Sequence, residues 1–187
     1  MSKKVTLHDE KILDRWSLLI EGAQGRGDEV IKKTVEFIKE ASAPGVEAEM
    51  ARVFPPGVPK FLSGVIKGVF EKGRDYLMVT NEGLGKVRLY VGAQDYGNNL
   101  YVSWYLATEP GLLDHFSAFL TGAIAGTFTE KGKWVPVVRD LFMQEELTAY
   151  VTCVHHCILK AVESLMMSLG QDFSKVDRKS KGFLGVS

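Results

Sequence analysis

The chain has few cysteines, no surplus charge and no long apolar run, and each absence argues against a class of protein. Two cysteines, Cys153 and Cys157, are too few for the disulfide framework of a small secreted domain. The 23 basic and 23 acidic residues cancel, which argues against a general binder of nucleic-acid backbones. The longest mildly apolar stretch, residues 116–128, is interrupted by polar residues and glycine. It falls short of the roughly 20 apolar residues that span a bilayer.

The length and composition of the chain are typical of one globular domain. A hydrophobic fraction of 45% in 187 residues is enough for a core. Charge begins at Lys3 and Lys4, too early for the apolar segment of a signal peptide. We therefore expect a cytoplasmic protein with a single α+β domain over residues 1–170. Residues 171–187 are predicted to form a tail that is first basic and then apolar.

Residues 73–110 give the clearest structural signal, because apolar residues alternate there with a period of two. Such alternation predicts strands with one buried face. The apolar positions of the second and third predicted strands are Val87, Leu89, Val91, Ala93, Leu100, Val102, Trp104 and Leu106. Turn-rich loops at residues 81–85 and 95–99 separate three consecutive strands, which predicts an antiparallel meander.

Helical spacing of apolar residues appears at both ends of the chain. Residues 9–21 and 28–41 are predicted to form an N-terminal helical hairpin. Residues 140–169 contain no glycine or proline and predict one helix about 45 Å long. Its apolar stripe comprises Leu147, Val151, Val154, Ile158, Val162, Leu165 and Leu169. A helix of this length would lie across the sheet and extend beyond its edge, or pack against another subunit.

The remaining segments complete the predicted fold. Residues 46–54 are interpreted as an edge strand, with a short helix as the alternative. Residues 60–72 and 112–125 have helical spacing, and residues 127–138 suit a hairpin. The predicted fold is thus α+β: an antiparallel β-meander of about three to five strands, packed against the helical hairpin and the long C-terminal helix.

One candidate ligand site lies on the meander face opposite the apolar residues. It comprises Arg88, Tyr90, Tyr101, Ser103 and Tyr105. Tyrosine rings and an arginine on one sheet face can stack against a flat ligand. The alternative is that the tyrosines only pair across strands or belong to the core.

A second candidate site is the group Cys153, His156 and Cys157 in the long helix. Thiolate and imidazole are the ligands that zinc and other transition metals prefer, which would suit a metal- or thiol-dependent enzyme. The more ordinary interpretation is that the cysteines pack as small apolar residues and the histidine lies at the surface. No cofactor is otherwise predicted.

No catalytic motif is present, so the sequence favours a non-enzymatic module that binds a protein or a small ligand. Self-association or partner binding through the long helix and the tail is expected. The alternatives are the metal- or thiol-dependent enzyme and a protein peripherally bound to a membrane. The membrane alternative depends on residues 60–72, where Lys60, Lys67 and Lys72 accompany a strongly apolar face.

Overall fold

Six strands of the described chain form one mixed sheet. The computed structural model describes residues 3–6, 11–54, 73–108, 137–182 and 184–187. The strands are β1 (Lys3–Thr6), β2 (Lys11–Ile20), β3 (Val46–Phe54), β4 (Arg74–Asn81), β5 (Val87–Tyr96) and β6 (Asn99–Thr108). Their order across the sheet is β1-β3-β4-β5-β6-β2. Only β1 and β3 pair in parallel; the other neighbours are antiparallel.

Two α-helices of the described chain, α1 (Gly27–Ala41) and α2 (Val137–Ser168), pack together on one side of this sheet. Between them and the sheet lies the main hydrophobic core. Its strand residues are Trp16, Ile20, Leu77, Val79, Val87, Leu89, Val91, Leu100, Val102, Trp104 and Leu106. A smaller apolar cluster on the opposite side of the sheet contains Val5, Ala51, Val53, Met78, Tyr90 and Ala107. Both faces of the sheet therefore bury side chains, as in a layered α+β fold.

The predicted meander and long helix are confirmed. The strands β4, β5 and β6 follow one another as antiparallel neighbours. The helix α2 spans 32 residues. Six of the seven predicted stripe residues are fully buried, and Leu169 is half-buried. Unbroken apolar periodicity gave the right secondary structure in both regions.

The predicted N-terminal helical hairpin is wrong. Its second helix exists as α1, but the segment predicted as its first helix is the strand β2, paired with β6. The inward residues of this strand are Asp14, Trp16, Leu18 and Ile20, at a period of two. Ile12 and Leu19, which suggested a helical face, are exposed. Asp14 hides the alternation because it puts a carboxylate at a buried position.

The predicted strand at residues 46–54 is confirmed as β3, but it is not the outermost strand, since β1 pairs with its second half. Within the described residues the sheet has six strands, one more than the upper end of the predicted range. The predicted helices at residues 60–72 and 112–125 lie outside the described residues, as does most of the predicted hairpin at residues 127–138. Within the described part, neither helix combines the length and the apolar character needed to cross a membrane.

Candidate functional site: the tyrosine face of the sheet

The side of β4, β5 and β6 that faces away from the helices carries a group of tyrosines. Tyr90 pairs directly with Tyr105, and Gly92 with Ser103. Directly paired residues in an antiparallel ladder project to the same side. The five predicted ligand residues all lie on this side, and Tyr76 of β4 joins them. We call the set Tyr76, Tyr90, Tyr101, Ser103 and Tyr105 the tyrosine face.

Within the tyrosine face, the Tyr105 hydroxyl is hydrogen-bonded to the hydroxyls of Tyr101 and Ser103. Burial, together with the hydrogen bond to Tyr101, raises the pKa of Tyr105 above its usual value, whereas the hydrogen bond of Ser103 acts in the opposite direction. Tyr105 is therefore a neutral phenol at neutral pH, suited to donating a hydrogen bond rather than to attacking a substrate.

Gly92 brings the Tyr76 ring onto the sheet. A Cβ atom at Gly92 would lie 2.8 Å from Cε1 of Tyr76, closer than a carbon contact allows. The Tyr76 ring therefore rests on the backbone of β5, where it meets the Tyr90 ring edge-on at a centroid distance of 6.3 Å. Sequence reasoning missed Tyr76, although its two-residue spacing from Met78 places it on this side.

The side chains of the tyrosine face differ in exposure. Tyr90 and Ser103 keep only 5% and 4% of their surface exposed, while Tyr101 keeps 36% and Tyr105 is half-buried. A ring stacked on Tyr101 would thus gain contact without displacing a core side chain. The face is therefore accessible at Tyr101 and in part at Tyr105, and buried at Tyr90 and Ser103.

Arg88 lies at the end of the tyrosine face away from Tyr101 and pairs in register with Thr80 and Ala107. It borders a cavity of about 550 Å³. The cavity is lined by Lys3, Lys4, Val5, Met78, Thr80, Asn81, Glu82, Gly85 and Arg88. Three basic residues stand against one acidic residue in this lining, and Lys3 also bonds Glu49 at 2.8 Å. The local charge favours an anionic group.

The predicted metal site gains no support from its surroundings. Cys157 is buried, and burial, with the neighbouring Cys153, raises the pKa of its thiol to about 11, which disfavours the thiolate. His156 is exposed, and its Nε2 lies 2.9 Å from the Ser187 carbonyl oxygen. Among the described residues, no three His, Cys, Asp or Glu side chains are grouped so as to hold a metal ion. The metal- or thiol-dependent enzyme stays a prediction.

A second polar cluster, not predicted from the sequence, lies on the helix side of β2 and β6. Fully buried His155 of α2 packs edge-on against Trp16 and Trp104. The end of the chain packs over this cluster. We call residues 176–182 and 184–187 the C-terminal segment. Its Ser180 and the backbone amides of Leu184 and Gly185 bond the buried Asp14 carboxylate.

Comparisons with protein-family models, with curated proteins and with solved structures find no match for this chain. The choice between the two clusters therefore rests on geometry. The cluster around His155 is filled by the chain's own C-terminal segment. The tyrosine face combines an accessible ring at Tyr101, hydroxyl groups at Tyr105 and Ser103, and a basic cavity beyond Arg88. Such a mixture of aromatic surface and a few polar groups is typical of small-molecule sites.

Proposed function

We propose that the protein is a non-enzymatic module that binds a small planar ligand carrying an anionic group. The flat part of the ligand stacks on Tyr101 and Tyr105, and the anionic group points toward Arg88 and the basic cavity. The observation that carries the proposal is the partly exposed aromatic surface of Tyr101 and Tyr105, on the same side of the sheet as that cavity.

Three physical arguments support this ligand chemistry. Tyrosine rings offer large contact areas with little conformational freedom to lose. The hydroxyls of Tyr105 and Ser103 can orient a ligand through hydrogen bonds. A guanidinium presents five N–H donors, so Arg88 can bind an anion while it keeps another contact. A raised pKa at Tyr105 and the lack of a catalytic motif favour binding over chemistry.

Fluorine NMR of the fluorotyrosine-labelled chain tests the proposal, because the sequence has six tyrosines and hence six signals. The probes are naphthalene sulfonate and, as its uncharged counterpart, naphthalene methanol. We expect naphthalene sulfonate to shift the signals of Tyr101 and Tyr105. Tyr150, buried on the helix side, is the internal control that should not shift. Single Tyr→Phe variants assign the signals.

The Arg88→Gln variant tests the anionic part of the proposal. It should weaken the binding of naphthalene sulfonate by roughly tenfold, a change of about 1.4 kcal/mol, and leave naphthalene methanol unaffected. Lys86→Gln, in the turn before β5, is a matched control that removes one positive charge outside the cavity lining. Shifts confined to Tyr150, with none at Tyr101 or Tyr105, would contradict the proposed site.

Self-association through α2, as expected from the sequence, is a second candidate function. The observation that favours it is the exposure of Leu141 and Phe142 near the start of α2. Analytical ultracentrifugation of Phe142→Glu tests it, with Met167→Glu, exposed near the other end of α2, as the matched control. A loss of oligomer in the first variant alone would support the hypothesis, and a wild-type monomer would contradict it.

A further inference from the structure

His155 is held in a single protonation state by its two hydrogen bonds. Its Nδ1 accepts the indole N–H of Trp104 at 2.9 Å, and an indole nitrogen can only donate. Its Nε2 lies 2.7 Å from the carbonyl oxygen of Arg178, which can only accept. Nδ1 must therefore be bare and Nε2 must carry the proton. A second proton on Nδ1 would place two donors face to face.

The same histidine belongs to the site that holds the C-terminal segment. The segment has a second hydrogen bond to the body of the protein besides that of the Arg178 carbonyl. The Trp16 indole N–H donates to the carbonyl oxygen of Asp177 at 2.8 Å. The segment's Lys181 amide donates to the Arg15 carbonyl oxygen of the edge strand β2 at 2.7 Å. The Trp16 indole and the Arg15 carbonyl oxygen cannot change charge. His155 is the buried anchor whose charge can change close to neutral pH.

We propose that His155 makes the docking of the C-terminal segment depend on pH, so that mild acidification releases the segment from β2 and α2. Protonation at Nδ1 breaks the Trp104 bond and puts a cation into an apolar site. The imidazolium then leaves the site for water, and the Arg178 contact is lost with it. Release uncovers Trp16 and the edge of β2. This inference is independent of the proposed ligand site on the other side of the sheet.

The charges around His155 decide the direction of this effect. From β2 it faces the Asp14 carboxylate, which favours the imidazolium; from β6 it faces uncharged Trp104. On α2 its neighbour is His156, and in the segment the charged side chains of Asp177, Arg178 and Lys179 are exposed. Burial outweighs the hydrogen bond to the Arg178 carbonyl and the attraction of Asp14, which both favour the imidazolium, and lowers the pKa of His155 below its usual value.

A lowered pKa means that docking stabilises the neutral imidazole. The stabilisation is complete above the ordinary histidine pKa of about 6.5 and is lost as the pH falls through the pKa of the docked state. Within that window, release takes up one proton. The equilibrium constant for release should therefore rise by up to about tenfold per pH unit.

Amide hydrogen exchange on the full chain, corrected for intrinsic rates, measures this equilibrium. The reporters are the amides of Ser180, Lys181, Leu184 and Gly185, which are all hydrogen-bonded in the docked state. We expect their protection to fall below about pH 6.5, while the amides of β5 and β6 stay protected. Protection that is constant down to pH 5 would overturn the proposal.

The variant His155→Gln removes the titration and keeps one acceptor and one donor. We expect it to abolish the pH dependence of protection in the C-terminal segment. His156→Gln is the matched control: exposed His156 lies beside His155 on α2 and contacts the segment at Ser187 alone among the hydrogen bonds of the described residues, so its replacement should leave the dependence on His155 intact. A pH dependence that persists in His155→Gln would assign it to another group and overturn the proposal.

A measurement on the wild-type chain covers the case in which His155→Gln fails to dock the segment at any pH. Nitrogen NMR of labelled histidine reports protonation at Nδ1 of His155 directly, and the indole proton of Trp104 reports its hydrogen bond. Both should change with the same midpoint as the loss of protection. A segment that stays docked after His155 has been protonated would overturn the proposal.

Discussion

Both sides of β6 carry aromatic and polar side chains, but the two sides differ in how these side chains are buried and hydrogen-bonded. Trp104, on the helix side, is fully buried and hydrogen-bonded to His155. Its neighbours Ser103 and Tyr105, on the other side, share hydrogen bonds within the tyrosine face. The helix side is closed by the C-terminal segment, whereas the tyrosine face remains partly exposed at Tyr101.

This difference separates structural polar groups from polar groups that can bind a ligand. On the helix side, segments far apart in sequence supply the partners of Asp14, Trp16 and His155. Removing one partner leaves another buried group unsatisfied, which is costly. On the tyrosine face the partners are near neighbours on one strand, and water or a ligand can replace them at the exposed end. Stability should therefore depend on the first cluster and binding on the second.

The largest effect is expected for Asp14→Ala. The carboxylate accepts from the Ser180 hydroxyl at 2.9 Å and from the amides of Leu184 and Gly185 at 3.0 and 3.2 Å. Its loss should lower the free energy of unfolding by about 3 kcal/mol in urea denaturation. The control Ser17→Ala lies on the exposed side of β2 and should change it by less than about 0.5 kcal/mol. Equal free energies of unfolding for Asp14→Ala and Ser17→Ala would mean that the Asp14 hydrogen bonds do not stabilise the fold.

A smaller effect, confined to the C-terminal segment, is expected for Gly182→Ala. A Cβ atom there would lie 2.5 Å from both Cα and Oδ1 of Asp14, so the segment must move away. Overpacking of this kind costs roughly 1–3 kcal/mol. We expect the amides of Leu184 and Gly185 to lose exchange protection while those of β6 keep theirs. In the control Lys181→Ala, an exposed side chain is removed and protection should persist.

The same contrast explains what could be predicted from the sequence. The strands β5 and β6 and the helix α2 were predictable because apolar residues fill the inward positions from Val87 to Ala93, from Leu100 to Leu106 and along the α2 stripe. The tyrosine face followed from the same alternation, read on the other side of the strands. Local periodicity is sufficient where each strand or helix satisfies its own pattern.

Strand β2 and the docking of the C-terminal segment could not be predicted in this way. The inward position 14 is a carboxylate, and its partners Ser180, Leu184 and Gly185 lie at the other end of the chain. A buried charge is tolerated in a folded protein only where it has such hydrogen-bond partners. The residues next to Asp14 in the sequence give no sign of them. The exposed Ile12 and Leu19 completed a false helical pattern. Polar tertiary contacts thus determine the structure of β2, where apolar periodicity wrongly predicted a helix.

The smallest effect on stability is expected for a Tyr→Phe substitution on the tyrosine face. The same substitution can be made on the helix side, so the two sides of the sheet can be compared directly. Tyr150→Phe removes a buried hydroxyl that donates to the Val79 carbonyl oxygen at 2.8 Å, and should cost about 1–2 kcal/mol of unfolding free energy. Tyr105→Phe removes a half-buried hydroxyl whose partners Tyr101 and Ser103 can bond to each other or to water. It should cost less than about 0.5 kcal/mol in the same urea titration, yet weaken the binding of naphthalene sulfonate. If Tyr105→Phe costs as much as Tyr150→Phe and leaves binding unchanged, the tyrosine face is part of the structural core rather than a ligand site.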